Sequence, residues 1–507
     1  MIDMERPELE WWQTRWFALA AILAAAVPLL WPSLPPLLDL PGHMARYRVM
    51  LGTDAATLDQ WYEFHWRAIG YLGVDVLVYL LAPLLGLEPA VKLIVVAIPM
   101  LTVAGILWVS REAHGRVQPA ALFALPLAYS MIFLYGFLNY TLAMALALNA
   151  FALWLRLGRQ QRFRLRAALF VPIAWLIWGA HLFGWLVLGC FAFLSDLMRE
   201  RAAGRGWIAA TWWAGLNCLP LALPFVMLLR WTPGDGAGTS DWLESFRLKP
   251  GWVGMVLRDR WEWFDVASVA TIGLLLYHAA RSPKWRFAPQ LGVVTLGLCA
   301  AFVAMPFGTA YADARLAPYG VMMALLAVVP RAEASQHDLR RMALIGMVFC
   351  LIRIAGTFTS MTIEARDWDR HLAAVEHIPY GSRVAGFVTN NCKPPWALFR
   401  KNHLPSMVVV RRGAFANDQF DLGSTGLMHV IAPGVKGYAV DPSEMITNRP
   451  CATGAGLRDL RGALAGLPRG RFDYVWLIEP QIDDPRVLAG LSEVWSDGTD
   501  HLYRVNR

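Results

Sequence analysis

The sequence predicts an α-helical polytopic membrane protein of about eleven transmembrane helices, followed by a carboxyl-terminal extracytoplasmic α/β domain. Three observations predict it. Charged residues make up 17% of the 507 positions, where roughly 25% is usual for a soluble protein. With Gly counted and Tyr left out, the apolar share is about 62%, against roughly 45–50% in soluble domains. Charge-free runs succeed one another up to Phe358 and stop there. So few charges do not cover several soluble domains. A soluble cytosolic enzyme, a disordered scaffold and an ordinary nucleic-acid-binding module are thereby excluded, and no nucleic-acid partner is expected. The lipid bilayer is the expected partner, and the net charge of +8 reports loop orientation.

The first charge-free run gives a span over Trp16–Trp31, read as an uncleaved anchor because acids precede it. Residues 39–92 form a polar first outer loop whose apolar part, Val76–Leu87, suits an interfacial helix. A span follows over Leu93–Ser110. The run Val117–Leu155 is too long for one crossing, and Gly136 and Asn139 at its middle predict two spans joined by a tight turn. Ala167–Ser195 is read as a second hairpin broken near His181, because both of its flanks are basic. Further spans are predicted at Gly206–Leu229, Trp263–Ala280, Phe287–Met305, Leu316–Val329 and Met342–Phe358. The loops that alternate to one side carry 16 Lys/Arg against 5 Asp/Glu. This predicts a cytoplasmic amino terminus in a bacterial inner membrane, with the last domain outside. Nearly all the cations are Arg, in keeping with a GC-rich bacterial genome.

Residues 1–358 are thus the membrane domain and 359–507 the outer domain. In the latter, Arg383–Val388, Met407–Val410, Tyr474–Ile478 and His501–Val505 read as strands. Ala365–Ile378 and Leu457–Leu467 read as helices. Cys392 and Cys451 are the only cysteines there, and an oxidising compartment permits a disulfide between them.

No Walker loop, HExxH, CxxC or GxSxG is present, so pump, zinc-protease, thiol-redox and serine-hydrolase readings lack support. The candidates are polar residues near the outer face. Asp39 follows the first span, with His43 four residues on. A helix starting after Pro41 puts His43 and Arg46 on one face. Asp39 reads as a general base at a cavity mouth or as a helix cap. Asn139 is a turn residue or a hydrogen-bond donor to a sugar. His181 is a helix-break residue or a ligand-facing one. Asp313 and Arg315 pair with each other, or Arg315 holds a phosphate. Arg353 lies inside a span, where a charge faces a partner or a cavity. Asp367 and Asp369 form a DWD that reads as a metal pair or an exposed helix start. The segment 230–262 reads as a flap or a connector.

The stretch LDLPGHMAR, an acid directly after the first span in a loop that carries an amphipathic helix, resembles the GT-C class of membrane glycosyltransferases. That class includes protein O-mannosyltransferases, the lipid A aminoarabinose transferase and the catalytic subunit of oligosaccharyltransferase. The resemblance implies a sugar donor linked to a polyprenyl phosphate or diphosphate, and an acceptor from the outer side. It implies that Asp39 acts as base or positions the acceptor. Arg46, Arg315 and Arg353 are donor-phosphate candidates by location. Many members have adjacent acids in this loop, whereas Leu40 and Pro41 follow Asp39 here. No required cofactor is therefore expected, or else a metal completed by a distant acid. Transfer by one base without a nucleophile implies inversion. Two other classes remain open: a transporter or flippase, and a non-catalytic subunit of envelope polysaccharide assembly. Neither internal repeats nor a need for the outer domain speaks for the transporter.

Overall fold

The computed structural model describes residues 9–228, 242–305, 311–393, 395–423, 426–451 and 457–506. Among them, six helices are long and apolar enough to cross a membrane by length and composition: Leu87–His114, Leu138–Arg159, Phe163–Ala180, Leu182–Ala202, Glu262–Arg281 and Gln336–His377. Five shorter apolar helices accompany them, among them Arg15–Leu30, Gly73–Leu85 and Pro119–Leu134. The membrane helices and the sheet-bearing outer region together match the predicted fold class.

Both long apolar runs are broken as the sequence implies. In the first, a 3₁₀ segment over Pro119–Tyr129 and a short turn give way at Gly136 to the helix Leu138–Arg159. Gly136 has φ +91°, and a Cβ there would meet the Asp39 backbone nitrogen at 3.0 Å. Only glycine tolerates both the left-handed turn and that approach. In the second run, Phe163–Ala180 ends at His181 and Leu182–Ala202 begins there. Leu138–Arg159 is the central helix, with 72% of its apolar window buried, whereas Glu262–Arg281 buries 22% and turns its apolar side outward. Exposed Trp16, Trp31, Trp207, Trp212 and Trp263 fit interfacial positions.

The last span is the head of a much longer helix. Gln336–Leu372 runs 37 residues, about 55 Å at 1.5 Å per residue, and carries the chain past Phe358 into the outer domain. The helix read over Ala365–Ile378 is its tail, so the DWD lies near its end and not at a helix start.

The outer sheet has the order Leu491–Ser496, His501–Val505, Tyr474–Ile478, Arg383–Asn390, Met445–Thr447, Arg458–Asp459, with Phe415–Ala416 also paired to Arg383–Asn390. Its centre is parallel and its Leu491–Ser496/His501–Val505 edge antiparallel. Met407–Val410, read as a strand, is a helix instead, Met407–Arg412. Its valines are buried. Pro405 opens the 3₁₀ turn that leads into it, and Gly413 at φ +51° closes it, so turn chemistry and burial override β-propensity. Cys392 and Cys451, 59 residues apart, are joined in a disulfide with Cα atoms 5.5 Å apart. Replacing both by Ser is expected to destabilise this domain by about 2–5 kcal/mol. A thermal scan of the non-reduced double variant with an unchanged midpoint would contradict this.

The outer domain is zipped to the first outer loop. Tyr62–Phe64 pairs antiparallel with Met428–Val430. The Tyr62 hydroxyl donates to the Ala416 carbonyl at 3.1 Å and accepts from its N–H at 2.9 Å. Arg411 reaches Glu88 at 2.9 Å. These ties set the outer domain against the helix that starts at Asp39.

Candidate active site

Asp39 is the residue before the helix Leu40–Leu51, with Pro41 in its first turn. Its N–H donates to the Tyr135 carbonyl at 2.9 Å, and its carbonyl accepts from the His43 N–H at 3.1 Å. Its carboxylate makes no capping hydrogen bond, so the side chain is not spent on holding the helix. It keeps some exposed surface yet is enclosed by protein. Burial first, and the nearby Asp441 second, push its pKa up to about 8, against the pull of Arg315. The residue has the surroundings of a carboxyl tuned toward neutral pH, a pattern common among acid–base groups.

Arg315 lies in the 3₁₀ turn Ala314–Leu316. Its guanidinium carbon stands 4.3 Å from the Phe137 ring centre and 5.4 Å from that of Tyr140. Its Nε is buried without a hydrogen-bond partner. Of the two readings of Arg315, pairing with Asp313 does not form. Asp313 binds Lys249 at 2.7 Å and accepts from the Ala314 N–H at 2.8 Å. The Arg315 fork is left on an aromatic floor, within electrostatic reach of Asp39.

His43 is half-buried, with its Nδ1 itself buried and unpartnered and its ring 5.4 Å from Phe420. Burial, and then Arg46 and His403, hold its pKa well below the usual value, so the imidazole is neutral. The helix carries His43 into the same region as Asp39.

The other candidates are engaged elsewhere. Arg46 ion-pairs with the buried Asp75 at 2.8 Å. Asn139 donates to Asp75 at 2.8 Å and accepts from the Val74 N–H at 2.6 Å. Asn139 therefore locks the Gly73–Leu85 helix to the central one, where the sequence suggested a turn or a sugar contact. His181 caps Leu182–Ala202 by accepting from the Phe183 N–H at 3.1 Å, and its ring meets Tyr140 edge-on at 5.4 Å. Arg353 corrects the phosphate-binding expectation most clearly. It ion-pairs with Asp265 at 2.8 Å and donates to the Leu257 carbonyl at 2.9 Å, both groups buried. It ties the long last helix to Glu262–Arg281. Truncating one partner of such a pair costs about 3–5 kcal/mol. Arg353→Met is expected to lower the thermal midpoint in detergent and leave donor affinity unchanged; the reverse outcome would restore a binding role. Asp367 pairs with Arg370 at 2.7 Å and Lys401 at 3.3 Å, while Asp369 is exposed. The flap read over 230–262 lies partly outside the described residues, and its later part is the helix Trp242–Gly254.

Sequence reasoning missed the outer-domain half of the site. Gly42 packs so closely that a Cβ would meet Phe420 at 2.7 Å and His403 at 3.3 Å. His403, Asp418, Asp441 and Glu444 gather behind this contact. The only sequence signal was acids at 418, 421, 441 and 444 with few neighbouring cations.

The fold has solved counterparts. ArnT from Cupriavidus metallidurans in the apo state is similar at a TM-score of 0.52 and 13% identity, over 96% of this chain and 97% of that chain. ArnT from the same organism bound to undecaprenyl phosphate gives 0.51 and 13% over the same shares. No protein-family model matches the chain, and no curated protein matches it. At this identity the likeness carries the fold, and the chain has the GT-C-like polytopic architecture that its first outer loop implied.

Proposed function

We propose that the protein is a membrane glycosyltransferase that moves a sugar from a polyprenyl-phosphate or -diphosphate donor to an extracytoplasmic acceptor. The observation that carries this reading is the enclosed Asp39 carboxyl, at the start of the helix Leu40–Leu51 that follows the first membrane helix of a GT-C-like fold, within electrostatic reach of an Arg315 fork that has no partner among the described residues. The solved relative with undecaprenyl phosphate bound supports a polyprenyl phosphate as the carrier.

The residues divide the work as a single displacement requires. An acceptor hydroxyl or amine attacks the sugar C1. Asp39, ionised, takes the acceptor proton as the new bond forms. The bond from C1 to the phosphate oxygen breaks, and its electron pair leaves on that oxygen. Arg315 stabilises the growing negative charge there. One base and no protein nucleophile give inversion at C1. Phe137 and Tyr140 flank the guanidinium and restrict it. His43, neutral, stands behind Asp39 as a positioning residue. The Arg-rich loops support a bacterial inner-membrane protein with its amino terminus in the cytoplasm and its carboxyl-terminal domain outside.

The test uses purified full-length protein in detergent with a radiolabelled polyprenyl-linked sugar. Release of unlabelled carrier lipid together with label on an envelope-glycan, lipid or protein acceptor supports the reading. Label that crosses vesicle membranes on an unchanged lipid would instead support a flippase. Absence of both would favour an assembly subunit.

A further inference from the structure

The outer domain gathers a second group of charges whose chemistry the transfer reaction does not use. His403, Asp441 and Glu444 each offer a ligand atom, all within 4.8 Å of one another. Glu444 is 0% exposed, and neither of its carboxylate oxygens has a hydrogen-bond partner. Asp418 and Gln419, also 0% exposed, leave Asp418 Oδ2 and Gln419 Oε1 unpartnered as well. Among the described residues, no Lys or Arg pairs with any of the three carboxylates. Buried oxygens that nothing donates to are costly, and like charges held together add to that cost. A cation held by Glu444 and Asp441 would satisfy the Glu444 oxygens and offset the clustered negative charge.

The histidine is set up for the same role. His403 Nδ1 lies 2.9 Å from the Asp418 carbonyl, which assigns the ring proton to Nδ1 and leaves the Nε2 lone pair free. Nε2 faces Asp441 at 3.8 Å. Metal-bound histidines are commonly oriented by such a hydrogen bond from the other ring nitrogen. A nearby cluster shows the contrast. Asp367, His371 and Glu479 have a similar spacing, but Arg370 and Lys401 already neutralise them.

We propose that His403, Asp441 and Glu444 bind one divalent first-row cation, Zn²⁺ or Mn²⁺ in type, that cross-links the part of the outer domain packed against the helix that follows Asp39. One imidazole and two carboxylates favour such ions over Mg²⁺ or Ca²⁺, which take all-oxygen sets. Glu444 Oε1 lies 3.8 Å from His403 Nδ1, so binding at about 2.0–2.2 Å turns the Glu444 carboxylate toward Nε2 and draws the three side chains inward. The site differs from a first-loop metal pair, since all three ligands come from the outer domain. It stands independently of the glycosyl-transfer reading, because its test reads metal and not activity.

Full-length protein purified in detergent, stripped with chelator and dialysed, is titrated with Zn²⁺ by calorimetry and with Mn²⁺ by electron paramagnetic resonance. One tight equivalent, with a rise in thermal midpoint, is expected. His403→Ala and the isosteric Glu444→Gln should abolish that equivalent, and Asp441→Asn should weaken it at least 10-fold. Asp367→Asn should leave it intact. No tight uptake by the folded wild-type protein would overturn the proposal. So would full uptake by folded Glu444→Gln, or loss confined to Asp367→Asn.

Discussion

Asp39→Asn lowers the rate of sugar transfer by about 10²–10⁴-fold, the usual contribution of a positioned general base, and leaves the protein folded. Asparagine keeps the size and shape of the side chain. The contacts that fix this position, to the Tyr135 carbonyl and from the His43 N–H, are made by the backbone and survive the change. The carboxylate supplies no cap to its own helix, so no helix stability is lost with it. Initial rates with a labelled polyprenyl-linked sugar, beside a thermal scan, measure the two effects separately. A folded Asn variant at the parental rate would remove Asp39 from the mechanism.

The pH profile carries the same argument further. In the chelator-stripped protein, burial and Asp441 raise the Asp39 pKa to about 8. Below that pH the carboxyl keeps its proton and has no capacity to take one from the acceptor. The rate therefore rises with pH and levels off above about 8. Arg315 pulls the value down, so Arg315→Gln should move the midpoint upward. A merely structural Asp39 would give neither the rise nor the shift.

The parts of the fold that were legible in the sequence are those fixed by local rules. Gly136 and His181 break two apolar runs because a left-handed turn and a helix cap are local demands. Asp39 is visible because it is the first acid beyond a long uncharged run. What was hidden depends on pairing across the chain. Arg353 looks like a phosphate ligand until Asp265, 88 residues earlier, is seen to pair with it. Asp313 looks like the partner of Arg315 until Lys249, 64 residues earlier, takes it. His403 and Asp441 belong to a different domain from Asp39, and pairings distant in sequence, the zipper between Tyr62–Phe64 and Met428–Val430 and the packing of Gly42 on Phe420 and His403, bring the two regions together. Met407–Val410 failed for another reason. Three valines favour a strand in isolation, but the flanking proline turn and left-handed glycine close a helix of six residues around a buried contact.

That redistribution of partners makes Arg315 the sharper test of donor recognition. Of the three arginines first suggested, Arg353 is held by Asp265 and Arg46 by Asp75. The Arg315 guanidinium has neither an ion pair nor a hydrogen bond among the described residues, and its Nε is buried. A cation in that position is costly unless an anion arrives to meet it. The Phe137 and Tyr140 rings beside it restrict the guanidinium, and an Arg fork can meet a phosphate with two parallel hydrogen bonds. Charged hydrogen bonds of this kind are worth about 1.5–3 kcal/mol. Arg315→Gln should therefore raise the KM for the lipid-linked donor roughly 10- to 100-fold. It should also slow the chemical step, since the leaving phosphate gains charge as the bond to C1 breaks. Arg315→Lys should recover part of the affinity and little of the rate, because an ammonium is a point charge and does not reproduce the planar fork. The acceptor KM should stay constant in both variants. If donor KM were unchanged in Arg315→Gln and raised in Arg353→Met, the phosphate would lie on the Glu262–Arg281 side of the bundle, and the assignment of Asp39 as the adjacent base would fall with it.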